Sequence, residues 1–357
     1  MKLFDENGYL NIREIRAYQE EKGLVYAWIW GGRGIGKTYG ALMEAVRRNK
    51  ETGEKFIMLR RTKTQIDLIA NDRFMPFKTL NNDRGWNYYP YSLGASMYGF
   101  FDSETDENGK RVKVGEEIGL ALPVSTSGNI RGYDGYDISY VLYDEFIPMK
   151  SERPIKGEAE LLFNTLETIG RNRELKGEKP LYFMGLSNSN NVDNPYFLEL
   201  NIVNRALKMS LQQDNAIYED KRRGLLLICI NRSPISDKKK QTSLYTLTGE
   251  SSEFAKMALD NDFVEVERKS IKSMDLRHYD PIAAIGGICI YKNKNPEKGY
   301  YVSEHIKGNP QRYNTSEIDT ERFRRKFYYL YDAYLRDQIK FENHLTEYLF
   351  QIYNKIC

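Results

Sequence analysis

Residues Gly31-Gly32-Arg33-Gly34-Ile35-Gly36-Lys37-Thr38 spell GxxxxGK[ST], and nothing else in the 357-residue chain restricts its fold as tightly. Such a loop wraps an anion when a buried strand delivers it and a helix leaves it. The helix N-terminus then aims free N–H groups and a positive dipole end at phosphate. Both flanks are present. Val25-Tyr26-Ala27-Trp28-Ile29-Trp30 is an apolar run suited to a strand, and Ala41-Leu42-Met43-Glu44-Ala45-Val46 is a good helix former. Gly31, Gly32, Arg33, Gly34, Ile35 and Gly36 are therefore candidate nucleotide-binding residues. Lys37 would reach the β- and γ-phosphates, and the Thr38 hydroxyl would ligate Mg²⁺. Arg33 is unusual where small residues are favoured: either it answers to the γ-phosphate or a partner, or it is a solvated side chain.

Short apolar runs closed by polar residues follow. They are Lys55 to Arg60, ending in Arg60-Arg61; Ile138 to Tyr143, running into Asp144-Glu145; and Leu181 to Leu186, ending at Ser187-Asn188. With a helical stretch over Glu158 to Gly170, this alternation predicts a parallel α/β sheet. Residues 97–124 read instead as a hairpin, Met97 to Phe101 against Ile118 to Leu122, turning at Glu107-Asn108-Gly109-Lys110. The expected domains are 1–205, 206–262 and 263–357. The second reads as a small helical linker with one apolar run, Leu225 to Ile230, and the clusters Lys221-Arg222-Arg223 and Lys238-Lys239-Lys240, for which solvated surface is a sufficient reading. The third begins with strands at 263–266, 282–291 and 299–302. It ends in one long helix with Phe323, Phe327, Leu330 and Tyr334 on a single face.

Composition excludes little but narrows the class. With 53 Lys+Arg against 50 Asp+Glu, any nucleic-acid footprint must be local. Cys229, Cys289 and Cys357 form no CxxC pair, and the three histidines are scattered, so no structural zinc is expected and a reducing cytoplasm is. The segment Met1 to Gly8 lacks the apolar core of a signal peptide, and no run of about eighteen apolar residues exists; no membrane partner is expected.

Asp144-Glu145 at a strand end supplies the second half of an ATPase signature. Asp144 would hold the Mg²⁺ shell, and Glu145 would polarise the attacking water. A P-loop kinase or simple GTPase does not need that Glu; an ATP-hydrolysing motor does. Asn188 either senses the γ-phosphate or belongs to a strand-terminating turn, since Ser-Asn-Ser-Asn-Asn is turn chemistry in itself. Arg171-Asn172-Arg173 offers either an arginine finger for a neighbour's phosphate, a device worth about 10³–10⁵ in rate, or an ordinary surface Arg-Asn-Arg.

The set Gly-x-Arg-Gly-Ile-Gly-Lys-Thr, Asp-Glu-Phe-Ile (144–147), Arg-Asn-Arg-Glu (171–174), Leu-Ser-Asn (186–188) and Asn-Pro-Tyr-Phe (194–197) resembles the phi29-type DNA-packaging ATPases of small tailed phages. The tail from Tyr334-Leu335-Arg336 to Glu347-Tyr348-Leu349-Phe350 is also similar. The resemblance implies a P-loop ATPase of the additional-strand, catalytic-glutamate (ASCE) class, a linker, and a vestigial RNase H-like C-terminal domain. It implies a homopentameric ring that uses ATP and Mg²⁺ to pump double-stranded DNA through a portal protein into a preformed capsid. The ring would dock at the portal vertex in the host cytoplasm, with a packaging RNA as a further partner, and be absent from the mature virion. It assigns Lys37 and Thr38 to phosphate and Mg²⁺, Asp144 to the metal, Glu145 to catalysis and Arg171 to the trans finger. Arg131 stands where the family carries a second trans-acting lysine, which keeps the charge but changes its geometry. Lys63 and Lys150 match positions near the family's DNA-facing loops; as plain residues they are exposed lysines. The strand Ile282 to Ile290 carries no acid where a two-metal nuclease needs one, although Asp280 precedes it. The rival readings are a terminase that also cuts DNA, a phage assembly or export ATPase, and a nucleotide-gated scaffold without turnover. The first needs converging acids, and Asp280, Glu304, Asp319 and Asp332 sit on no convincing strand; the second needs a membrane helix.

Overall fold

A computed structural model describes residues 1–126, 135–148, 152, 155–188, 192, 194–248 and 270–354. The chain divides into two compact units, residues 1–263 and 264–357. Unit 1 opens with α1 (Ile12–Lys22), β1 (Tyr26–Gly31), α2 (Lys37–Thr52) and β2 (Lys55–Arg60). Then come α3 (Lys63–Asp67), α4 (Lys78–Arg84), β3 (Tyr88–Gly94), β4 (Met97–Thr105), β5 (Arg111–Pro123) and β6 (Ile138–Asp144). It closes with α5 (Glu158–Gly170), β7 (Tyr182–Ser187), α6 (Pro195–Glu199), α7 (Val203–Ser210), β8 (Ala216–Asp220), β9 (Leu225–Ile230), α8 (Pro234–Lys240) and α9 (Ser243–Thr248).

One nine-stranded sheet runs in the order β3-β4-β5-β2-β6-β7-β1-β9-β8. The strands from β5 to β9 in that order pair in parallel, and antiparallel neighbours flank them at both edges. Alternate residues feed two cores. Ala27, Ile29, Met58 and Leu142 pack with α1 and α2 on one face; Trp28, Trp30, Leu59 and Tyr143 pack with α5, α6 and α7 on the other. A sheet covered on both faces needs strands apolar on both faces, which is why these segments read as unbroken apolar runs.

The first domain does not close near residue 205. β9 lies beside β1 in parallel register from Tyr26–Leu225 to Gly31–Ile230, and all six of its residues are buried. The described part of the expected linker, residues 206–248, thus belongs with the same sheet rather than forming a separate helical linker. An apolar hexapeptide that needs cover on both faces finds it against β1, and the cluster Lys221-Arg222-Arg223 is the turn joining β8 to β9. The polar region before the hairpin holds α3, α4 and an unforeseen strand, β3, which extends the hairpin by one antiparallel partner.

Unit 2 holds β10 (Tyr279–Ile285), β11 (Ile288–Asn293), β12 (Tyr300–Ser303), β13 (Gln311–Tyr313), α10 (Glu317–Lys326), α11 (Tyr329–Leu335), β14 (Ile339–Phe341) and α12 (His344–Asn354). Its sheet order is β13-β10-β11-β12-β14. The run 282–291 is not one strand. It folds back at Gly286-Gly287, both at positive φ (55° and 85°), the conformation a tight two-residue hairpin demands. Asp280 therefore lies within β10, exposed and opposite Lys292. The final helix is also not continuous: it breaks at Phe327-Tyr328. Phe323, Phe327 and Leu330 still pack on the sheet from the expected face, with Tyr334 against them. The strand expected at 263–266 lies outside the described residues.

Gly299, between β11 and β12, combines φ 67° and ψ −134° with a carbonyl neighbour. A Cβ there would stand 2.0 Å from the Gln338 oxygen. Gly299→Ala is expected to destabilise the chain by at least about 1–3 kcal/mol through the backbone conformation alone, read as a lowered urea midpoint at unchanged slope. Among the described residues no helix is long and apolar enough to cross a membrane.

Candidate nucleotide-binding site

The carboxyl ends of β1, β2, β6 and β7 converge, where ligands of parallel sheets bind. β1 delivers the loop, and Gly31, Gly32, Gly34 and Gly36 all take positive φ, a conformation that side chains resist. α2 starts at Lys37 with no side-chain cap, so its first N–H groups remain available to an anion. Lys37 is buried. Its Nζ donates to the carbonyl oxygens of Gly31 (2.6 Å) and Gly32.

β6 brings Asp144 to the same point across a strand, because β7 lies between β1 and β6. Thr38 Oγ1 donates to Asp144 Oδ1 at 2.8 Å. A hydroxyl and a carboxylate meeting this closely are the hard-oxygen donor pair that Mg²⁺ takes beside waters and phosphate oxygens, so the residues fit that ion. Asp144 Oδ2 stands 2.6 Å from an Arg60 guanidinium nitrogen, an ion pair without hydrogen-bond alignment.

Glu145 follows with φ 57°, a left-handed backbone that a glutamate keeps only where neighbours impose it. The Asn188 amide holds it in place: Nδ2 donates to Oε1, and the Asn188 backbone N–H approaches Oε2 at 3.4 Å. Asn188 thus touches the candidate base directly rather than only closing a turn. Burial, then the charge of Asp144, pushes the Glu145 carboxyl above its ordinary range, with Lys37 opposing. Burial pushes the Lys37 ammonium well below the usual lysine range, against the pull of Glu145 and Asp144, and Lys239 and Arg33 add to the depression. Bound phosphate would reverse that balance by adding negative charge beside Lys37.

Arg171 lies elsewhere. It ends α5, is exposed, has φ 43°, and borders a cavity with Tyr26 and Leu181 at the amino ends of β1 and β7. The loop begins at the opposite end of β1, and five residues at about 3.3 Å each separate the two ends by on the order of 16 Å. Arg171 therefore does not join its own chain's Lys37, Thr38, Asp144 and Glu145. Arg173 is buried and donates to the Gly135 carbonyl at 3.0 Å. Lys63 is exposed at the start of α3, held by a capping box of Thr62 and Gln65, at the same sheet edge as the loop. Arg131 and Lys150 lie outside the described residues.

Two contributors escaped the sequence reading. Arg60 was visible only as the polar end of a strand; carboxyl ends of parallel strands face the ligand edge, and that rule was the available signal. Lys239 belongs to a basic run of α8, yet its Nζ donates to the Arg33 carbonyl at 2.6 Å. Behind the site, Arg61 and Glu158 are fully buried and ion-paired at 2.6 Å, and Arg61 also binds Glu152. Tyr196 Oη donates to Glu158 Oε1 at 2.9 Å and shares a hydrogen bond with Tyr143. This network fixes the end of β2 against the chain that follows Glu145.

A family profile described as podovirus DNA encapsidation protein (Gp16) matches residues 4–278. The DNA packaging proteins of Bacillus phages PZA and phi29 are each 27% identical over 262 residues, spanning 73% of this chain and 67% of theirs. A chain from the phi29 viral genome packaging motor assembly superposes with TM-score 0.58 at 20% identity, over 99% of this chain and 100% of that one. A chain from the Phi-28 gp11 DNA packaging motor does so with TM-score 0.60 at 18% identity, over 98% of each. At these identities the two structures bear on the fold.

Proposed function

The chain belongs to the podovirus DNA encapsidation protein (Gp16) family, and from that premise we propose that it hydrolyses Mg²⁺-bound ATP to drive double-stranded DNA through a portal protein into a preformed capsid. The observation that carries this reading is the convergence of Lys37, Thr38, Asp144, Glu145 and Asn188 at one sheet edge, with Arg171 at the other.

Each residue has a role set by its position. The α2 N-terminus and Lys37 hold the β- and γ-phosphates. Thr38 and Asp144 hold Mg²⁺, which when bound neutralises charge on the phosphate oxygens. Glu145 accepts a proton from the attacking water, and Asn188 keeps its carboxylate aimed. Arg171 completes a neighbouring subunit's site, because it does not reach its own; Arg131 is proposed for the same neighbour-facing role. A finger supplied in trans requires a neighbouring subunit, the same head-to-tail contact closes into a ring when its rotation allows, and we take the subunit number as five. Lys63 and Lys150 grip phosphates of the DNA backbone, which suits packaging that ignores sequence. The C-terminal unit is proposed as a vestigial RNase H-like domain that docks to the portal or to a structural RNA. The working location is the portal vertex, in the host cytoplasm.

ATP turnover measured against protein concentration, with and without double-stranded DNA, tests this. Cooperative, DNA-stimulated turnover is expected. Arg171→Ala and Glu145→Gln should each abolish it, and mixing the two proteins should restore part, since one subunit then supplies the finger and another the base. Turnover independent of concentration, DNA and Arg171 would overturn the ring reading.

A further inference from the structure

Two lysines rest on carbonyl oxygens of the same loop, and only one belongs to its sequence motif. Lys37 lies on Gly31 and Gly32; Lys239, some two hundred residues later, lies on Arg33. The Lys239 side chain crosses the loop at close range. A Cβ on Gly34 would stand 2.1 Å from its Nζ and 3.1 Å from its Cε, so the residue type at Gly34 is what lets this ammonium approach. α8 is held there from its other end as well. Ser233 caps it, Pro234 leads it, and Pro234 packs onto Gly8 of the N-terminal segment, whose Leu10 N–H bonds the Ile35 carbonyl.

We infer that Lys239 is a nucleotide-binding residue that recognises the terminal phosphate of a triphosphate, exchanging the Arg33 carbonyl for a phosphate oxygen. This rests on the nucleotide-site reading above and assigns it a further residue. Among the described residues the hydrogen-bond partner of Lys239 Nζ is the neutral Arg33 carbonyl, and burial alone pushes its ammonium below the usual range. A half-buried cation on a neutral carbonyl gains a stronger, charge-assisted bond when an anion is offered nearby. Arg33 and Gly34 belong to the part of the loop that faces the β- and γ-phosphates, so a triphosphate presents that anion and a diphosphate presents less of it.

Binding of Mg²⁺ with a β,γ-imido triphosphate, and separately with ADP, to the purified full chain tests the inference. Lys239→Ala is expected to weaken the triphosphate analogue by about 10-fold or more, a charge-assisted bond's worth. ADP should change by less than about 3-fold, and Lys239→Arg should restore the preference. Lys239→Met, which keeps the stem, replaces the alanine variant if tryptophan emission shows that it has unfolded. Equal losses for both nucleotides, no loss, or tighter binding would overturn the inference. Lys37→Ala separates the two levels: if the parent does not bind the analogue, or binds it regardless of Lys37, the nucleotide-site reading itself fails.

Discussion

Glu145→Gln is expected to lower ATP turnover by about 10²–10⁴-fold, the usual contribution of a positioned base, while leaving Mg²⁺-dependent binding of ATP within a few-fold of the parent. The amide keeps the size of the carboxylate and can still meet Asn188, so the loop, Lys37, Thr38 and Asp144 keep their places. What disappears is the acceptor for the water's proton. The separation of binding from turnover is the diagnostic part. A scaffold role for Glu145 predicts that both fall together, because its left-handed backbone would relax and carry Asp144 with it. Equilibrium binding of a fluorescent ATP analogue beside steady-state phosphate release distinguishes the cases. Turnover within about tenfold of the parent would remove Glu145 from the base role.

The second large effect concerns stability. Arg61→Met is expected to destabilise unit 1 by about 3–5 kcal/mol, because it strands a buried carboxylate. Glu158 is fully buried and would keep the neutral hydroxyls of Tyr196 and Tyr143 in place of the guanidinium. Replacing both members, Arg61→Met with Glu158→Leu, should recover much of the loss, since two apolar side chains leave no charge to solvate. Urea unfolding followed by tryptophan emission reads this directly. Trp28 packs on Phe146 and Tyr196, the residues this network orders. A double variant no more stable than the single would mean that the pair does more than neutralise itself.

The strands that carry the site were legible because a parallel sheet covered on both faces demands continuous apolar runs, and β1, β2, β6 and β7 each show one. β9 shows one too, but its sequence surroundings read as a linker. Its neighbours in sequence are polar and turn-rich, and nothing local says that a strand this late pairs with the first. The hairpin at Gly286-Gly287 was hidden for a related reason: apolar residues continue on both sides of a turn that only two glycines mark. The break at Phe327 left its helical face intact, so spacing predicted the packing but not the continuity.

For the site the division is sharper. The chain's own order of residues determined the phosphate loop, Lys37 and Thr38, the Asp144-Glu145 pair and the strand end at Asn188. These are contiguous motifs whose backbone conformations follow from glycines and from strand-to-helix transitions. Tertiary structure alone decided that Arg60 pairs with Asp144, that Asn188 grips Glu145, that Arg171 faces away from its own loop, and that Lys239 crosses it. Those contacts join residues far apart in sequence. They exist because strand order is set by burying both sheet faces, and a lysine in a basic run has the same local preferences whether it meets water or a loop carbonyl.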